Sequence, residues 1–97
     1  MVIWSQPAKA DLRSIHDFIA HDSPHYAKKV VQGIREKADI LERLPQVGKK
    51  VAELGDEQVR ELSLYAYRII YEIKDKGIYV LTVAHKRQDL KAEDIKR

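Results

Sequence analysis

The stretch Tyr67–Ala84, YRIIYEIKDKGIYVLTVA, decides the fold. Its first eight residues alternate, with Tyr67, Ile69, Tyr71 and Ile73 on one side and Arg68, Ile70 and Glu72 on the other, which is the two-residue period of a strand. Asp75-Lys76-Gly77 then marks a tight hairpin, because glycine accepts the positive φ that such turns require. Ile78–Ala84 is almost continuously apolar, as expected of an inner strand with neighbours on both sides. Working upstream, Gln58–Leu62 reads as a weaker strand. Before it lie two helical patterns. Ala8, Leu12, Ile15 and Ile19 recur on one face with Phe18 beside them, and Ala27, Val30, Val31, Ile34, Ala38, Leu41 and Leu44 form the stripe of a second, longer helix.

The punctuation agrees with this division. Ser5 or Gln6 caps the first helix with Pro7 in its first turn, Ser23-Pro24 repeats the signal for the second, and Pro45 and Gly48 stop it. Val2-Ile3-Trp4 is a short strand. The expected order is β-α-α-β-β-β, an α+β fold with the helical hairpin on one face of a mainly antiparallel sheet. Its other face is expected to be concave and partly polar, with Arg68 projecting from the middle.

At 97 residues and 44% hydrophobic content, the chain suits one domain spanning 1–97, with one small core. The absence of cysteine excludes disulfides and thiolate metal sites. No apolar run reaches membrane-spanning length and no export signal opens the chain, so a cytoplasmic protein without membrane association is expected. Lys and Arg number 18 against 15 Asp and Glu, a net charge of +3 that neither demands nor excludes nucleic acid. Only clustering counts, and the cluster is His85-Lys86-Arg87, at the end of the most apolar strand.

The pattern Trp4-Ser5-x-x-Ala8-x-x-Asp11-Leu12-x-x-Ile15-x-x-Phe18-Ile19, Ser23-Pro24-x-Tyr26-Ala27, Leu44-Pro45-x-x-Gly48, Arg60-Glu61-Leu62, Tyr67-Arg68-Ile69-Ile70-Tyr71 and Val83-x-His85-x-Arg87-x-Asp89-Leu90 resembles the RelE/ParE superfamily of bacterial toxins, nearly end to end. The resemblance implies the toxin of a type II toxin-antitoxin module, a growth inhibitor of the plasmid-stabilization kind. A cognate antitoxin would fold upon it into a hetero-oligomer, covering the exposed side of the hairpin and a sheet edge. It also implies two targets. RelE-like members are mRNA interferases that cut in the ribosomal A site, whereas ParE-like members inhibit DNA gyrase without RNase chemistry.

Attack by a 2′-hydroxyl needs a proton acceptor, a proton donor and cations around the phosphorane. Glu53, Arg68 and His85 fall at loosely comparable places to the Glu, Arg and His set of some RNase members. Against this, the RelE type draws on lysines in the strand before the Tyr-Arg motif and on a late tyrosine. Here that strand carries Arg60 and Glu61, and no tyrosine follows Tyr79. Arg60 and Glu61 read more simply as opposite-face residues, one of them solvated. The His-x-Arg-x-Asp-Leu ending resembles ParE-like sequences, so the balance favours that branch, with Arg60, Arg68, His85, Lys86 and Arg87 as target-binding residues. The competing reading of His85-Lys86-Arg87 is a charged strand end that discourages edge pairing. A third reading is a non-toxic binding module of the same fold. No cofactor is implied. His16 and His21, five apart, share no helical face, which argues against a metal site with His25. Trp4, Tyr67 and Tyr71 read as core rather than as base-stacking residues.

Overall fold

The computed structural model describes residues 1–97 as β1 (Val2–Trp4), α1 (Gln6–Ala20), α2 (Pro24–Asp39), β2 (Lys49–Lys50), β3 (Val59–Leu64), β4 (Tyr67–Lys74) and β5 (Gly77–His85). Both helices start as their sequences require. Ser5 Oγ accepts the Ala8 amide (3.1 Å) and Ser23 Oγ the Tyr26 amide (3.2 Å), each followed by a proline in the first turn. The second helix tightens into a 3-10 turn over Ile40–Glu42. The apolar stripe therefore ends at buried Leu41, and Leu44 is exposed. Phe18 also departs from expectation, standing 80% exposed beside a face on which Ala8 and Leu12 are buried and Ile15 and Ile19 partly so.

The sheet order is β1-β5-β4-β3-β2, with β1 parallel to β5 and every other pair antiparallel. The apolar strand β5 is an inner strand, as its composition requires, and the edges are β1 and the two-residue β2 formed by Lys49 and Lys50. The β4–β5 turn depends on Gly77 at φ +150°, where a Cβ would also lie 2.9 Å from the Met1 carbonyl oxygen.

Helices α1 and α2 cover one face. Ala8, Leu12, Val30, Ile34, Ala38 and Leu41 pack on Leu62, Ile69, Tyr71, Ile78, Val80 and Val83, while Trp4 and Tyr67 lie against this cluster. Tyr71 is fully buried, and its hydroxyl donates to the Pro45 carbonyl (2.7 Å) and accepts the Gly48 amide (3.0 Å). That bond pair draws the 45–48 loop onto the sheet. The loop passes so close that a Cβ on Gly48 would lie 2.6 Å from both the Glu61 carbonyl oxygen and the Tyr71 hydroxyl.

The opposite face differs from the expectation of an open, concave surface. Arg68, Ile70 and Glu72 do share it, but a second core closes over it: Val51, Val59, Ile70, Leu81, Ala84, Leu90 and Ile95 are buried together, with Leu54 and Tyr79 alongside. The segment after β2 and the carboxy-terminal tail supply this cover because the exposed faces of β3, β4 and β5 are too apolar to leave wet. Arg97 closes the edge, donating to Glu72 Oε2 (2.7 Å) and Asp56 Oδ2 (2.9 Å). No helix is long and apolar enough to cross a membrane.

Candidate functional site

Beyond the second core, the same face opens into a cleft of about 480 Å³ lined by Lys49, Lys50, Ala52, Glu53, Glu61, Ser63, Arg68 and Lys86. Arg68 forms its base. Its guanidinium is gripped on two sides: Nη1 and Nη2 donate to Glu53 (2.9 and 2.8 Å), while Nε and Nη2 donate to Glu61 (3.0 and 2.7 Å). The three side chains are only 13%, 25% and 6% exposed for Arg68, Glu53 and Glu61. Buried cations require such partners, and fork-to-carboxylate geometry is the strongest available. The Arg68 hydrogen bond holds the Glu53 carboxyl below its ordinary pKa against the opposing effect of burial. The hydrogen bonds that Arg68 donates to Glu53 and Glu61 raise its pKa. Glu53 is thus a weak proton acceptor, and Arg68 is a cation already neutralised.

His85 lies elsewhere. In the β4–β5 register it pairs with Tyr67, whereas Arg68 pairs with Ala84. Its ring meets Tyr67 edge-on, at 5.5 Å and 83°. Tyr67 packs with the helix-side core and Ala84 with the other, so His85 and Arg68 stand on opposite faces of the sheet. His85 lines a groove of about 250 Å³ with Asp11, Ser14, Ile15, Phe18, Tyr67, Val83 and Gln88. Its Nδ1 accepts the Arg87 amide (3.0 Å), which leaves Nε2 to carry the proton of the neutral ring.

Of the residues singled out from sequence, Glu53, Arg68 and Lys86 come together; His85 does not join them. The phase of β5 explains the separation. Ile70 pairs with Thr82 but Tyr71 with Val80, so β5 carries one extra residue, a bulge at Leu81. Strict alternation from Ile78 and Val80 would send His85 to the Arg68 side; after the bulge Val83 and His85 point to the helices. Arg60 and Glu61 do sit on opposite faces; Arg60 is half-buried, its Nη1 donating to the Gly48 carbonyl (2.9 Å) and its Nε buried without a partner, while Glu61 is buried and locks Arg68. Arg87 is exposed in the turn after β5. Lys49 and Lys50 form edge strand β2 and the rim of the cleft. Asp11 accepts the Thr82 hydroxyl (2.6 Å) and the Val83 amide (2.9 Å), contacts that nothing in its helical spacing marks.

The model of the ParE toxin of type II toxin-antitoxin systems, parDE, matches residues 2–90. The chain belongs to that family. Among curated proteins, the toxin is similar to Toxin RelE2 of Caulobacter vibrioides, with 31% identity over 85 residues, 87% of this chain and 92% of that one. Among solved structures it resembles a chain of the chromosomal ParDE TA system from P. aeruginosa, with a TM-score of 0.71, 27% identity and coverage of 87% and 92% of the two chains. It also resembles one from the RelBE2 toxin-antitoxin complex of Mycobacterium tuberculosis, with a TM-score of 0.62, 25% identity and coverage of 88% and 95%. The two helices on a mainly antiparallel sheet are the superfamily fold. No group of three His, Asp or Glu side chains is placed to hold a metal ion.

Proposed function

We propose that this toxin inhibits growth through DNA gyrase, by binding rather than by covalent chemistry, and that a cognate antitoxin neutralises it. One observation carries the reading: the residues an RNase would need are separated or already engaged. Arg68 makes its ion pairs with Glu53 and Glu61, and His85 is on the other side of the sheet. A phosphorane in the cleft would meet two carboxylates at its base, with the histidine out of reach. Charge repulsion there is on the order of 4 kcal/mol at 4 Å in a partly screened site. The family model supports the same branch, and the complexes named for the structural relatives support an antitoxin partner in a hetero-oligomer.

In this reading the working surface is the corner after β5, where exposed His85, Lys86 and Arg87 leave a strand fixed by packing on both faces. Such rim charges act on association rate and its salt dependence. The setting is the cytoplasm, where gyrase acts. The test is supercoiling by purified gyrase with increasing toxin, with and without antitoxin. Inhibition that antitoxin reverses is expected; full supercoiling at saturating toxin would reject the proposal.

A ribosome-dependent mRNA interferase is the second reading, favoured by the RelE2 relative and by the ring of Lys49, Lys50 and Lys86 around the cleft. It requires RNA to displace Glu53 from Arg68. Codon-phased mRNA cuts in cells expressing the toxin would establish it, and a chain that leaves growth unaffected would be a non-toxic binding module.

A further inference from the structure

We infer that Asp11 is the positioning residue of the toxin: from α1 it stabilises the β5 bulge, and the bulge decides which face of the sheet each residue of the His85-Lys86-Arg87 corner serves. The inference rests on the corner being the working surface, but its structural half stands independently. After the bulge Val83 stays in register opposite Ile69, but its amide finds its acceptor on α1 rather than on a strand, and a buried amide left unpaired costs free energy comparable to a lost hydrogen bond. Asp11 Oδ2 meets that need, accepting the Val83 amide (2.9 Å) and, on the same oxygen, the Thr82 hydroxyl (2.6 Å). The start of the same helix holds the other side of the bulge. Ser5 donates its amide to the Val80 carbonyl and its Oγ to the Leu81 carbonyl, both at 3.0 Å, while that Oγ caps α1.

The bulge is thus clamped at Val80 and Leu81 by the cap of α1 and at Thr82 and Val83 by a carboxylate on the helix's second turn. The consequence is a change of phase. Val80 and Val83 both enter the helix-side core, Leu81 and Ala84 both enter the second core, and His85 is delivered to Tyr67 while Lys86 is delivered to the Arg68 cleft. A regular β5 would exchange these two assignments, because a one-residue slip moves every later side chain to the other face. Asp11 therefore acts on the target-binding residues without touching the target, through backbone phase.

The test compares Asp11→Ala, which removes the acceptor, with Asp11→Asn, which keeps an acceptor oxygen and loses the charge. Two NMR readouts report on phase: cross-relaxation between the Tyr67 and His85 rings, and hydrogen exchange of the Val83 amide. In Asp11→Ala, the ring contact is expected to vanish and Val83 exchange to rise about tenfold or more, the effect of losing a hydrogen bond to a charged group. In Asp11→Asn, both are expected to stay near wild type. Ile34→Val, a core change that leaves the clamp intact, is expected to keep the ring contact despite its lower stability. An Asp11→Ala protein that retains the ring contact and Val83 protection overturns the inference. If that variant does not fold, the wild-type protein decides: a Val83 amide that exchanges as fast as an exposed one is not held by Asp11, and that result overturns the inference as well. In the gyrase assay, Asp11→Ala is expected to lose at least tenfold in inhibition and Asp11→Asn to retain it. A wild-type toxin without effect on gyrase would reject the proposed function while the NMR arms still decide the role of Asp11.

Discussion

Replacing Arg68 by Met removes the centre of the Glu53–Arg68–Glu61 cluster and leaves the Glu61 carboxylate, whose hydrogen bonds run to Arg68, only 6% exposed and without its partner. Breaking a buried pair from one side costs about 3–5 kcal/mol, because the remaining charge has lost its compensation. For a domain of this size, each kcal/mol lowers Tm by about 4–8 °C. A drop of at least about 12 °C is therefore expected. Glu53→Gln is expected to be milder, at about 1 kcal/mol or less, since the Glu61 pair survives and Glu53 is the more exposed partner. The double variant Arg68→Met with Glu61→Leu should regain most of the loss, as apolar replacements of buried pairs commonly do. Urea denaturation of parent, singles and double at pH 7 gives the coupling directly. An Arg68→Met protein within about 1 kcal/mol of the parent, or a cycle with no coupling, would refute the account of the cluster.

The other expectations concern the loop, the tail and acid. Tyr71→Phe leaves the Gly48 amide and the Pro45 carbonyl without their partner and should cost about 1–3 kcal/mol in urea unfolding. Gly48→Ala should be worse than Tyr71→Phe in the same measurement, because the new Cβ meets backbone at 2.6 Å. Leu90→Ala should cost about 2–5 kcal/mol by opening the second core, and a near-neutral result would mean the tail does not close that face. Glu53 has a folded pKa below its ordinary value of 4.5, so its contribution is complete above that pH and is lost as pH falls through the depressed folded value. Stability measured from pH 7 to pH 3 should fall more steeply in the parent than in Glu53→Gln.

The fold was legible because its signals are local. The alternation of Tyr67, Ile69, Tyr71 and Ile73, the Ser-Pro caps and the glycine at 77 each act within a few residues, and all of them agree. Two things were not legible. The second core depends on Leu90 and Ile95 returning across more than a strand's length of chain to cover Ile70 and Leu81, and no periodicity marks two isolated apolar residues in a charged tail. The bulge depends on Asp11, 71 and 72 residues from its partners. Nothing in Val80–Ala84 marks it, since a continuously apolar strand reads the same in either phase. That one extra residue is why the candidate site was split while the fold around it was not.

The carboxylates at the base of the cleft bear on the choice of target more than the cations at its rim. Lys49, Lys50 and Lys86 would attract a phosphate backbone at long range. Close approach, however, requires an anion to replace Glu53 on the Arg68 fork while Glu61 remains in place. Glu53→Gln lowers this barrier by removing one charge and keeping the shape. If the cleft is an RNA site restrained by its own glutamates, the variant should bind short single-stranded RNA more tightly, by about tenfold for each 1.4 kcal/mol of repulsion relieved, and its affinity should fall with salt. If the toxin works through the corner after β5, Glu53→Gln should leave RNA binding and gyrase inhibition where they were. Filter binding at two salt concentrations separates the two outcomes. A large gain in RNA affinity would count against the separation of Arg68 from His85 as the reason for favouring gyrase.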